Sequence, residues 1–217
     1  MSTIVKICGL NDRVSVETAV AAGADYLGFI IFPRSPRALS PTEAGALAAH
    51  KGAARSVAVL VDPDDALLGE VLARMAPDII QLHGDESPAR CLDARAYAGE
   101  GVWKALGVSA ADDLERATRW RGCVDGFVFD AKPPADASRP GGLGVGWDYS
   151  LLSGFDPGAP WLLAGGLSVD NVADAIAQSG ARGVDVVSGV EARPGVKDAD
   201  KIRAFIAAAR KPRPLAC

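Results

Sequence analysis

The feature that most constrains this chain is an alternation: short apolar, β-branched runs exchange with Ala- and Leu-rich stretches of helical period along all 217 residues. Eight runs read as strands: Ile4–Cys8, Tyr26–Phe32, Ser56–Val61, Ile79–His83, Val102–Leu106, Gly126–Asp130, Trp161–Ala164 and Gly183–Val187. Strands that alternate with helices pair in parallel, and eight of them can close without an edge. The expected fold is α/β, a single parallel eight-stranded (β/α)8 barrel of the TIM type over residues 1–210. Residues 211–217, with two prolines and little to bury, are expected to form a flexible tail. A doubly wound open sheet is the runner-up, but it wants G-x-G-x-x-G after the first strand, where this chain has Cys8-Gly9-Leu10-Asn11-Asp12. Ser40-Pro41-Thr42-Glu43 reads as a capping box, and Ser109 and Ser168 as caps of later helices.

Composition narrows the function. A net charge of −4 without basic blocks gives no electrostatic case for nucleic acid or an anionic membrane. No run approaches the roughly 18 apolar residues of a membrane helix, and the opening lacks a basic region followed by a long apolar one, so the cytoplasm is the expected location. The four cysteines, Cys8, Cys91, Cys123 and Cys217, are widely spaced, which argues against a disulfide framework and against zinc. No metal and no cofactor are expected.

In a barrel, residues at strand ends converge on one face, where the chemistry is done. Those ends offer a thiol (Cys8), a carboxyl group (Asp130), a histidine (His83) and an arginine in a proline-stiffened loop (Arg37). They also offer two glycine turns, Gly165-Gly166 after the seventh strand and Ser188-Gly189 after the eighth. In many barrels those two loops present backbone N–H groups to a phosphate. Taken alone, a buried cysteine is more often core than catalyst. Lys6, two residues before Cys8, points into the barrel one layer deeper and needs a buried partner; Asp185, on the neighbouring eighth strand, is the candidate.

Lys6-Ile7-Cys8-Gly9, Gly28-Phe29-Ile30-Ile31-Phe32 running into Ser35-Pro36-Arg37, and Gln81-Leu82-His83-Gly84 stand in an order that resembles the phosphoribosylanthranilate isomerase family of tryptophan biosynthesis. Asp130 before Lys132, Gly141-Gly142 with Gly144, Ala164-Gly165-Gly166-Leu167, and Asp185 to Glu191 followed by Pro194-Gly195 complete the pattern over nearly the whole chain. The resemblance implies an aldose–ketose isomerase that performs a cofactor-free Amadori rearrangement, with Cys8 as general base and Asp130 as general acid. It implies further that Arg37 binds the anthranilate carboxylate. His83 at its strand end reads equally as a substrate-lining residue or as a hydrogen-bonded packing residue, Asp185 is within reach of substrate hydroxyls as a secondary role, and Gly165, Gly166, Ser188 and Gly189 are the substrate-binding turns. Lys6 would support the floor, and Gly141, Gly142 and Gly144 would belong to a lid between Ala131 and Gly146. The expected partner is a phosphorylated small molecule, with the protein a monomer or a homodimer. The chain departs from the pattern at Val145-Gly146-Trp147-Asp148-Tyr149, where members carry a threonine and an aromatic residue before the Asp.

The residue types suit the reaction. A carboxylic acid can protonate a ring oxygen if its pKa is raised, and a thiolate can take a carbon-bound proton if its pKa is lowered, for which helix N-termini at this face would supply positive potential. A thiolate close to Asp130 would help to keep the acid protonated, and the two should titrate as a pair. Rival readings are Schiff-base aldolase chemistry on Lys104 or Lys132, a metal-dependent epimerase, which two distant histidines poorly support, and a phosphometabolite-binding barrel without activity.

Overall fold

The computed structural model describes residues 2–132 and 146–211. Eight parallel strands close into a barrel in sequence order: β1 (Ile4–Cys8), β2 (Tyr26–Ile30), β3 (Arg55–Leu60), β4 (Ile79–Leu82), β5 (Gly101–Val108), β6 (Gly126–Ala131), β7 (Trp161–Leu163) and β8 (Gly183–Val186). Closure is made by β1 against β8, which sets Lys6 opposite Asp185. An antiparallel hairpin, β9 (Glu191–Arg193) with β10 (Val196–Lys197), follows β8.

Around the sheet lie α1 (Arg13–Ala21), α2 (Pro41–Ala48), α3 (Asp65–Met75), α4 (Pro88–Ala94), α5 (Ala111–Ala117), α6 (Val172–Ser179) and α7 (Ala199–Ala209). The capping box at Ser40 and Glu43 is formed, with proline opening α2. Two expected caps are corrected. Ser109 donates its hydroxyl to Asp113, while Ala110 occupies the N-cap of α5. Ser168 opens a turn ahead of α6, which starts only after Asn171. Between β6 and β7 the described chain has a single 3-10 turn, Tyr149–Leu152, begun by the Asp148 carboxylate accepting from the Ser150 N–H. The expected lid glycines Gly141, Gly142 and Gly144 lie outside the described residues, as does the tail beyond Lys211.

Side chains alternate across each strand, so β1 sends Val5 and Ile7 to the helices and Lys6 and Cys8 to the interior. The inner core packs Cys8 with Val57, Val59, Ile79, Trp103, Ala105, Val128, Leu162 and Ala164. Tyr26 meets Trp103 edge-on at 4.8 Å between ring centroids at the amino-terminal end, which floors the barrel. Polar groups are thereby restricted to the carboxyl-terminal end and the layer just beneath it.

Candidate active site

Cys8 ends β1 with only 2% of its surface exposed. Space for the thiol comes from Gly28, its register partner on β2: a Cβ there would lie 2.6 Å from the Cys8 Sγ. One layer down, the Lys6 Nζ donates to Asp185 Oδ2 at 2.9 Å, with Lys6 fully buried. Burial alone would lower the Lys6 pKa, but Asp185 and then Cys8 outweigh it and hold the ammonium above its ordinary value. Asp185 Oδ1 has no partner among the described residues.

The expectation that Cys8 is acidified by helix N-termini is corrected. Burial pushes its thiol up, and the opposing charge is Lys6 directly beneath it, with Lys197 contributing less. A thiol 98% removed from water loses the solvation of its anion, and that loss outweighs what Lys6 and Lys197 return.

Asp130 lies near the end of β6, buried, with Oδ1 accepting from the Ala131 N–H at 2.8 Å. Burial and then the Asp185 carboxylate raise it to about 7. The like charge that keeps Asp130 protonated is therefore Asp185, and the expected direct Cys8–Asp130 coupling is corrected to one passing through the Lys6–Asp185 pair, which acts on both groups. Gly165, at φ +83°, lets β7 pass this carboxyl group; a Cβ there would stand 2.9 Å from Asp130 Oδ1.

His83, just beyond β4, places Nε2 3.6 Å from Asp130 Oδ2. Burial, followed by Lys104 and Lys6, lowers its pKa to about 3, so the ring is neutral and this contact is not an ion pair at neutral pH. Arg37 is buried rather than solvated, and its Nε and Nη2 grip Glu191 at 2.6 and 2.7 Å. The fork expected for an incoming carboxylate is thus occupied, which leaves Nη1 as the nitrogen outside it. Lys197 joins the same carboxylate at 3.2 Å. The hairpin carrying both is tied down by Asn11, whose Nδ2 donates to the Gly195 carbonyl at 3.0 Å.

The two glycine turns lie against each other, since a Cβ on Gly189 would run into the Leu167 carbonyl. Asn171 shapes the first turn by donating to the Gly166 carbonyl at 2.9 Å while accepting from the Ser168 N–H at 2.8 Å. The N–H groups of Gly165 and Gly166 donate to no described residue, and Ser188 and Gly189 open a 3-10 turn beside them, an arrangement suited to an anion. Among the described residues there is no group of three or more His, Cys, Asp or Glu that could hold a metal.

Sequence reasoning passed over Gly28, Gln81, Glu191 and Lys197 as functional positions. Gly28 carried a signal, being a glycine on the inner face level with Cys8. Glu191 and Lys197 carried none, because their meeting with Arg37 depends on how the hairpin folds back. The lysines of the aldolase reading are engaged. Lys104 faces away from the interior, bound to Glu86 at 3.0 Å and to the Gly84 and Ala105 carbonyls, and Lys132 pairs with Asp113 at 2.9 Å.

Residues 5–208 match the family described as N-(5'phosphoribosyl)anthranilate (PRA) isomerase. An N-(5'-phosphoribosyl)anthranilate isomerase of Rhizobium meliloti is 49% identical over 212 residues, covering 97% of this chain and 99% of that protein. One from Rhodopseudomonas palustris is 50% identical over 211 residues, covering 97% of each. The solved phosphoribosyl anthranilate isomerase of Thermotoga maritima superposes with a TM-score of 0.86 at 35% identity, over 95% of this chain and 98% of that one. Another, at 32% identity, TM-score 0.83 and the same coverage, holds reduced 1-(o-carboxyphenylamino)-1-deoxyribulose 5-phosphate. With its closed eight-stranded barrel and with sequence matches that run almost end to end, the chain belongs to the N-(5'-phosphoribosyl)anthranilate isomerase family.

Proposed function

We propose that this barrel rearranges N-(5-phosphoribosyl)anthranilate to 1-(2-carboxyphenylamino)-1-deoxyribulose 5-phosphate, with Asp130 as general acid and Cys8 as general base. Asp130 gives its proton to the ring oxygen as the C1–O bond breaks, and the anthranilate nitrogen supplies the electron pair that makes the C1=N iminium. The Cys8 thiolate then takes the proton from C2, the electrons return to nitrogen, and the resulting enol passes its hydroxyl proton on and gains one at C1 to become the ketone. The supporting observation is Asp130: a buried carboxyl group beside the Gly165 turn, held near pKa 7 by burial and by Asp185, whose ion-pair partner Lys6 lies beneath Cys8.

In this reading the turns at Gly165-Gly166 and Ser188-Gly189 take the phosphate, and Arg37 offers Nη1 to the anthranilate carboxylate. Asp185 Oδ1, lacking a partner, is available to a substrate hydroxyl, and Lys6 acts through Cys8. The described helices include none long and apolar enough to cross a membrane, in keeping with a soluble substrate and a cytoplasmic site. The test follows loss of phosphoribosylanthranilate fluorescence in wild type, Cys8→Ala and Asp130→Asn. Each variant is expected to lose at least about 10²-fold in kcat, and a smaller loss in either overturns its role.

A further inference from the structure

Gln81 lies on the inner face of β4, 1% exposed, and has no part in the chemistry above. Its Nε2 stands 3.3 Å from Nδ1 of His83, whose Nε2 in turn stands 3.6 Å from Asp130 Oδ2. The amide nitrogen is placed toward the ring, and the carbonyl Oε1 has no partner among the described residues.

The imidazole is neutral, so it carries one N–H, and Gln81 decides which nitrogen holds it. An amide N–H directed at Nδ1 requires a lone pair there, and the proton must then sit on Nε2, facing the acid. We propose that Gln81 is a positioning residue for catalysis: by fixing the Nε2–H tautomer of His83, it supplies a donor to the Asp130 carboxylate formed when the acid gives up its proton. The donor is too distant to bond the resting acid and needs only a small movement to reach the aspartate after transfer.

This inference rests on Asp130 being the general acid. The charged and titratable groups that act on the contact are Lys6 on β1 and Asp185 on β8 from the interior, Lys104 on β5 from the outer side of the barrel wall, and Tyr149. None donates a hydrogen bond to Asp130, so His83 is the side chain placed to do so among the described residues.

The chain has two histidines, which makes nitrogen NMR of 15N-His-labelled protein direct, with His50→Gln assigning the signals. The expected result for His83 in wild type is a neutral ring with Nδ1 unprotonated and Nε2 protonated from pH 6 to 8. A ring protonated at Nδ1, or charged at pH 7, overturns the inference whatever Asp130 does. Gln81→Met keeps the volume and removes the donor; Gln81→Glu keeps the shape and offers only an acceptor to Nδ1. Both are expected to shift His83 toward the Nδ1–H form, and to move the limb of the rate profile belonging to Asp130 upward by about one pH unit, since the lone pair then facing the acid favours its protonated form. A structural role alone would lower stability without moving that limb. An unmoved limb in both variants overturns the coupling, whereas activity surviving in Asp130→Asn would overturn the assignment of the acid itself.

Discussion

Replacing Lys6 by Met should separate what the buried cation does for stability from what it does for Cys8. Lys6 has no exposed surface, and its ammonium supplies the hydrogen bond to Asp185, whose other oxygen is already unpartnered. Removing one member of a buried pair strands the other and costs about 3–5 kcal/mol of stability. The kinetic effect follows from the order of the two pKa values. Cys8 is held above its ordinary value and Asp130 sits at about 7, so the competent form, thiolate with neutral acid, is a minority form at every pH. Its population rises with pH up to the pKa of Asp130, stays level, and falls beyond the pKa of Cys8. The height of that plateau drops tenfold for each unit separating the two.

Lys6 is the strongest influence opposing the rise at Cys8, and an opposite charge a few ångströms away is worth about 1–3 units. In Lys6→Met the alkaline limb of kcat/KM is therefore expected to move up by at least one unit, and the plateau to fall about 10- to 100-fold. The acid limb should move less, because Lys6 is a minor influence on Asp130. Fluorescence progress curves from pH 6 to 10 read the limbs, and urea unfolding reads stability. Lys6→Met/Asp185→Leu removes the stranded charge and should recover most of the stability while the rate stays low. The reasoning is refuted if the double variant regains rate together with stability, or if the limbs of Lys6→Met coincide with those of wild type.

Two further outcomes follow from the geometry. Gly28→Ala sets a methyl group 2.6 Å from the resting thiol, so stability should fall by about 1–3 kcal/mol in urea melts. Because a displaced base reacts poorly, kcat should fall about 10²-fold with KM little changed in steady-state assays. Asp130→Asn should be more stable than wild type at pH 8 yet lose that advantage at pH 4. The native carboxyl, at about 7, binds a proton that the unfolded one releases near 4, so wild-type stability falls as pH rises between those values, and denaturation at the two pH values reads the difference directly.

The barrel was legible because its signals are local: each strand is a short apolar run, and closure in sequence order follows from having eight. The misread helix starts also have a local cause. Ser109 and Ser168 are good caps by type, but at Ser109 a carboxylate three residues into the helix captured the hydroxyl, and at Ser168 an asparagine side chain organised the turn first. At the site, the Lys6–Asp185 pair could be expected from strand adjacency alone. The Arg37–Glu191 fork could not, because it joins two loops 154 residues apart whose approach depends on a glycine at 195 fitting beneath the Pro36 carbonyl. The pKa of Cys8 was misjudged for a related reason: a strand end reads as a rim, whereas packing against Gly28 buries the thiol.

In the proposed mechanism, the same ion pair explains how Asp130 as acid and Cys8 as base, with pKa values in the unfavourable order, can share one site. Lys6 lowers both groups and Asp185 raises both, so a pair placed symmetrically would leave the gap unchanged. It is not symmetric. At Cys8 the influence of Lys6 outranks that of Asp185, and at Asp130 the influence of Asp185 outranks that of Lys6. The pair thus acts as an oriented dipole across the floor, with its cationic end toward the base and its anionic end toward the acid. It draws the thiol down and the carboxyl up, and each unit of separation removed gives tenfold more of the competent form. In the proposed mechanism, closing β8 onto β1 in the register Lys6–Asp185 therefore serves catalysis as well as the fold, because a one-residue slip of β8 would turn Asp185 away from the interior and leave Lys6 there without its partner.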